Sequence, residues 1–160
     1  MRLEEIDRML PNDFHDAYLE KLTIDYAAAK AVFDLDLLFG VPDGKNEFER
    51  EAYRKGRLQL SNLIYCIIEP PLPNSHQRYR GVDGPLKIDA WPMVEMKDKP
   101  EKLPEPLPEE AFAYVIYAMT WGTFIYVAGT DASFAWQGDP HLNDSLITAH
   151  CLLLAPREVT

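Results

Sequence analysis

Over much of this chain the apolar residues recur at every second position, the period at which strand side chains alternate between two faces. Leu22, Ile24 and Tyr26 share one face while Lys21, Thr23 and Asp25 take the other, and Phe33, Leu35, Leu37 and Phe39 then alternate with Asp34, Asp36 and Leu38. The spacing predicts two half-buried strands joined as a hairpin, ended by Gly40 and Pro42.

The same period returns at Leu58 and Leu60 against Gln59 and Ser61, and the run from Leu63 to Ile68 is apolar on both faces. A strand from Arg57 to Glu69, central in its sheet and stopped by Pro70 and Pro71, is the expectation. Further on, Phe112 to Trp121, Thr123 to Ala128 and Ala132 to Trp136 read as a three-strand meander, broken at Gly122 and at Gly129-Thr130-Asp131. Between Asn74 and Pro108 the prolines dominate, with a short strand at Leu86 to Ala90. Ser145 to Leu154 fits a strand, the favoured reading, and also a helix behind Asp144.

Helical signals are few. Leu3, Ile6 and Leu10 at three- and four-residue spacing predict a short amphipathic helix stopped by Pro11 and placed over the end of a sheet. Asn46 and Glu49 form the pattern of a capping box for a short helix carrying Phe48 and Ala52, and a solvated loop fits the same residues. With no internal repeat and no βαβ alternation, the expected fold is α+β and mainly antiparallel β. A curved sheet, a small barrel or a sandwich, with one or two short helices, forms a single domain over residues 1–160.

Charge narrows the partners. Twenty-six acidic against sixteen basic side chains give a formal net charge of −10, a field that repels phosphate backbones and anionic lipid. Nucleic acid and membranes are therefore excluded as expected partners, and a basic protein surface is the natural complement. From Leu103 to Pro156 there is no Lys or Arg at all. No apolar run approaches the ~20 residues of a membrane span, and the acidic start, Glu4-Glu5, lacks the basic region of a secretory signal. Cys66 and Cys151 sit inside apolar runs as small hydrophobes, in keeping with a cytoplasmic protein without disulfides.

Candidate functional residues are sparse. Asp13, His15 and Asp16 lie together before the first predicted hairpin, and an imidazole beside carboxylates can act as a general base, hold a divalent metal, or pin the entrance of a strand. His76, His141 and His150 stand at no ligand spacing from that group, so neither a metal nor another cofactor is expected. His150 and Cys151 would point to opposite faces of a strand, which spoils them as a base and thiolate. Asp43-Gly44 and Asp83-Gly84 are turn signals rather than phosphate loops. Trp121, Tyr126 and Trp136 offer aromatic area for a ligand or a partner, against the alternative of packing in the core.

The stretch Asn12-Asp13-Phe14-His15-Asp16-Ala17-Tyr18-Leu19, with Leu22 to Tyr26 and Phe33 to Leu37 behind it, resembles small bacterial β-rich families that open with Phe-His-Asp and a hairpin. Arg57 to Leu60 and Gly122 to Val127 extend the resemblance weakly. Some of those families look like immunity proteins, which neutralise a partner toxin by binding it. The resemblance implies a non-catalytic cytoplasmic binding domain and carries no catalytic residue with it. The rival expectations are a small-ligand-binding or hydrolytic β-barrel, its pocket lined by Trp121, Tyr126, Phe134 and Trp136, and a structural homo-oligomer covering an exposed strand edge.

Overall fold

The computed structural model describes residues 1–71, 85–95, 103–104 and 106–142. After the helix α1 (Leu3–Met9) and a short strand β1 (Pro11–Phe14) come β2 (Ala17–Asp25) and β3 (Lys30–Leu38). Helix α2 (Glu47–Glu51) leads into the long β4 (Ala52–Ile68), followed by β5 (Leu86–Pro92), a 3-10 turn (Met93–Glu95), β6 (Phe112–Ala118) and β7 (Thr123–Leu142). Six of the strands close an antiparallel barrel in the order β2-β3-β4-β7-β6-β5. Among the three β architectures left open by the sequence, the barrel is the one adopted.

The barrel falls into two locally connected sheets, β2-β3-β4 and β5-β6-β7, joined along two seams of very different length. The long seam pairs β4 with β7 from Ala52–Leu142 to Ile68–Ile125. The short one consists of Ala17–Ile88, Tyr18–Lys87 and Leu19–Leu86 between β2 and β5. Phe33, Leu35, Leu37, Leu58, Leu60, Tyr114, Ile116, Ile125 and Val127 fill the interior, joined by Leu3 and Ile6 of α1 and by Leu10 just after it. The void left among Leu3, Phe14, Phe33, Leu58 and Ile116 is only about 10 Å³, room for one water at most.

The alternation that predicts the strands changes phase along them, each time at a local irregularity. In β2 the register slips between Leu19 and Lys21, so Ala17 and Leu19 join the core before the slip and Leu22 and Ile24 pack on it after. In β4, Asn62 takes the left-handed region (φ 51°), a second slip follows between Leu63 and Tyr65, and the inward set passes from Leu58 and Leu60 to Leu63 and Cys66. Asn62 also donates to Thr130 Oγ1 at 3.1 Å, tying the two long strands where both turn over.

Several expectations need correction. Gly129-Thr130-Asp131 is no turn: β7 runs unbroken from Thr123 to Leu142, and the expected meander is the β6–β7 hairpin. Gly129 is there for space, since a β-carbon on it would come within 3.3 Å of the Phe112 ring and of Ser61 O. The hairpin turn lies at 119–122, with Gly122 at φ 62°, so Trp121 is outside the strand expected to contain it. β4 begins at Ala52 rather than Arg57, because the charged run before Leu58 pairs with β3 and β7 on the barrel wall. β2 stops at Asp25, leaving Tyr26 in the hairpin turn and exposed, with its hydroxyl donating to Cys66 O at 2.7 Å. The capping box at Asn46 forms as the sequence predicts, its side chain accepting from Glu49 N at 2.9 Å. The readings of Asp83-Gly84, His76, 145–154 and Cys151 fall outside the described residues.

Outside the barrel wall, Tyr65, Met93, Val115, Tyr126 and Ala128 form a second apolar cluster, covered by Trp91, Leu103 and Leu107. The β7 edge beyond Gly129 is met by the N-terminus: Ala132 N donates to Met1 O at 2.7 Å, and the Met1 ammonium pairs with Asp131, holding that carboxyl below its usual range.

Candidate functional site

The turn from Asp13 to Asp16, where β1 gives way to β2, carries the most concentrated chemistry. Asp13 and Asp16 both adopt left-handed backbone (φ 49° and 53°), which Asp tolerates better than most residues, and His15 N closes the turn on Asn12 O at 3.1 Å. Asp7 of α1 fixes the approach, its Oδ1 accepting from Phe14 N at 3.2 Å and its Oδ2 from the Tyr114 hydroxyl at 3.1 Å. Phe14 is thereby driven into the core while His15 stands out at 68% side-chain exposure.

The turn is clasped to β5, across the short seam. Asp89 Oδ1 accepts from Asp16 N at 3.0 Å and lies 2.9 Å from His15 Nδ1. Asp16 Oδ1 pairs with Lys87 Nζ at 2.5 Å, and Asp16 Oδ2 lies 3.5 Å from His15 Nε2. The hydrogen bond to Asp16 is the main reason that the Lys87 ammonium holds its proton more tightly than a free lysine. Lys87 and Asp89 are two positions apart on β5 and point the same way, while Ile88 between them enters the core. Asp89 and Lys87 were missed by sequence reasoning, since no local pattern connects residue 16 to residue 89. Alternation within Leu86 to Ala90 does signal that they share a face.

His15, Asp16 and Asp89 together could offer three ligand atoms within 4.8 Å of one another. In the geometry present, one Asp16 oxygen is taken by an ammonium and Asp89 by the imidazole and an amide, so the group is wired as a clasp. Beside it, a cleft of about 480 Å³ opens between α1, the β1–β2 turn and β5, with Glu4, Asp7, Asp13 and Asp89 on its walls, Arg8 as the one Lys or Arg among the described residues that line it, and Trp91 and Tyr114 as apolar backing. Four carboxylates around an open cleft favour cationic side chains.

A second polar cluster lies on the outer face of β2-β3-β4. Asp36 is only 5% exposed, opposite Tyr18 on β2, near Tyr53 and next to the ion pair of Lys55 with Glu20. Its Oδ2 is 3.0 Å from His141 Nε2, and its Oδ1 is buried with no hydrogen-bond partner among the described residues. Burial, the largest influence, lifts the Asp36 carboxyl above its usual range against the opposing pull of His141 and Lys55. Desolvation likewise holds the Tyr53 phenol protonated well above its usual range.

The three aromatic candidates do not converge. Tyr126 is buried to 2% in the outer cluster, its hydroxyl donating to Glu69 Oε1 at 2.9 Å. Trp121 packs half-buried against the main core from the β6–β7 turn. Trp136 meets Phe134 edge-on at 5.0 Å and Phe39 at 5.6 Å, with the Arg54 guanidinium 5.2 Å from its ring.

No family model matches the chain, and no curated protein and no solved structure matches it either. No helix among the described residues is long and apolar enough to cross a membrane.

Proposed function

We propose that this chain is a non-catalytic, cytoplasmic protein-binding domain whose acidic cleft takes a basic side chain of its partner. The observation that carries the reading is the cleft itself, four carboxylates on a 480 Å³ opening at the edge of a chain of net charge −10. A field of that sign steers a basic surface toward it, raising association rates roughly ten- to a thousandfold. The resemblance of Asn12 to Leu19 to immunity-type bacterial families suggests the particular form, an inhibitor that covers a basic toxin such as a nuclease. The ligand-barrel rival needs an enclosed pocket, and the side-chain filling of the interior among the described residues weighs against it.

The test is kinetic. Capture from the native cell supplies the partner, and its association rate is then measured at 0.05 and 0.5 M salt, where the screening length falls from roughly 14 to 4 Å. Association should slow steeply, and more shallowly for a Glu4→Gln/Asp13→Asn variant, which removes cleft charge without touching the clasp. A rate indifferent to salt, or a variant that associates like the parent, rejects the reading.

A further inference from the structure

We propose that the Asp36–His141 contact is a proton-operated latch that holds the end of β7 against the barrel. Asp36 belongs to β3 and His141 to β7, and these strands are not neighbours: β4 runs between them, so the contact reaches across its outer face beside Tyr53. The end of β7 is separately set off from the rest of its strand. Gly138 takes φ 64°, and the register with β4 slips between Tyr53 and Lys55 at the same level. Beyond that bend, the described attachments include the Tyr53–His141 and Ala52–Leu142 pairings, Arg54 Nε donating to Gly138 O at 3.0 Å, and the Asp36 contact, while α2 also packs against β7.

The latch works because the carboxylate under it is poorly compensated. With Asp36 protonated, the buried carboxyl is uncharged and its Oδ2 meets His141 Nε2 in a hydrogen bond. Ionised, it is an enclosed carboxylate whose Oδ1 has no hydrogen-bond partner among the described residues, and opening the strand end lets water reach both oxygens. The surrounding groups do not repair this. Tyr18 and Glu20 face Asp36 from β2 and Tyr53 and Lys55 from β4; Lys55 is already engaged by Glu20, which itself opposes a second negative charge nearby.

The sign follows from the raised Asp36 carboxyl. The closed form binds the proton more tightly than an open form whose carboxylate is hydrated, so closure is complete below the ordinary carboxylate value near 4 and is lost as pH rises through the raised value.

Amide-exchange protection factors read the latch directly. Between pH 4.5 and 7.5, protection at Tyr53, His141 and Leu142 should fall severalfold as Asp36 ionises. Protection at Ile116 and Val127 should stay constant. Asp36→Asn should abolish the pH dependence at the strand end, and His141→Gln should lower its protection at pH 4.5. A flat wild-type profile, or an Asp36→Asn variant with the wild-type slope, overturns the proposal. If Asp36→Asn fails to fold, the decision passes to His141→Gln, and undiminished protection at pH 4.5 overturns it equally.

Discussion

Gly56 faces the ring of Phe134 so closely that a β-carbon on it would lie 2.4 Å from Phe134 Cζ. The two sit on adjacent long strands, Gly56 opposite Trp136 and Leu58 opposite Phe134, where the barrel end is packed with aromatic rings. Gly56→Ala should therefore force the ring aside and cost about 1–3 kcal/mol. Urea denaturation of the single variant and of Gly56→Ala/Phe134→Leu checks the cause, because the smaller side chain should recover part of the loss.

Asp89→Ala should destabilise more than His15→Ala. Asp89 is the acceptor for Asp16 N and the partner of His15, and its removal strands an amide at the seam, at about 1–3 kcal/mol. His15 is mostly exposed, and its loss should cost under ~1 kcal/mol. Thermal melts of the two variants give the order, and equal melting temperatures for wild type and Asp89→Ala would refute the clasp.

Zn²⁺ or Mn²⁺ should leave the melting temperature unchanged. A cation that bound the folded chain would raise it by mass action, but here it would have to displace Lys87 from Asp16 and break the His15–Asp89 bond. A metal-dependent rise abolished by Asp16→Asn would show a cation site in place of a clasp.

The Cys66 thiol, pushed up to about 11 by burial, should be inert to thiol reagents in the folded state. In a Cys151→Ser background, labelling at pH 8 should be slow and become rapid in denaturant. Fast labelling of the native protein would mean that the wall of β4 opens readily at Cys66.

The strand-rich character of the fold is legible because the two-residue period survives wherever one face is buried, as at Phe33, Leu35 and Leu37. The boundaries are less so, for identifiable reasons. The slips at Leu19/Lys21 and Leu63/Tyr65 reverse which residues point inward, and nothing in a two-residue pattern marks them beforehand. Gly129 resembles a turn glycine, yet it is required by the nearness of Phe112, a residue that only tertiary structure brings there. Of the polar candidates, Asp13, His15 and Asp16 were visible as a local cluster. Their partner Asp89, and the Asp36–His141 contact, depend on strand order and on closure of the barrel.

The unequal seams bear on how the chain reaches this fold and how it comes apart. β2-β3-β4 and β5-β6-β7 are each assembled from neighbours in sequence, apart from the connection of β5 to β6, whereas residues 17–19 must find residues 86–88 across the whole first half of the chain. Both seams close long stretches of chain, but the short one gains only three pairings against that loop-closure entropy, so it forms late, after the long β4–β7 ladder has brought the two sheets into place. The last step of folding is then the shutting of a narrow door whose bolt is Asp16, Lys87 and Asp89. Opening the same door, on the β4–β7 hinge, breaks only the three pairings of the short seam and the bolt, and leaves the barrel otherwise intact.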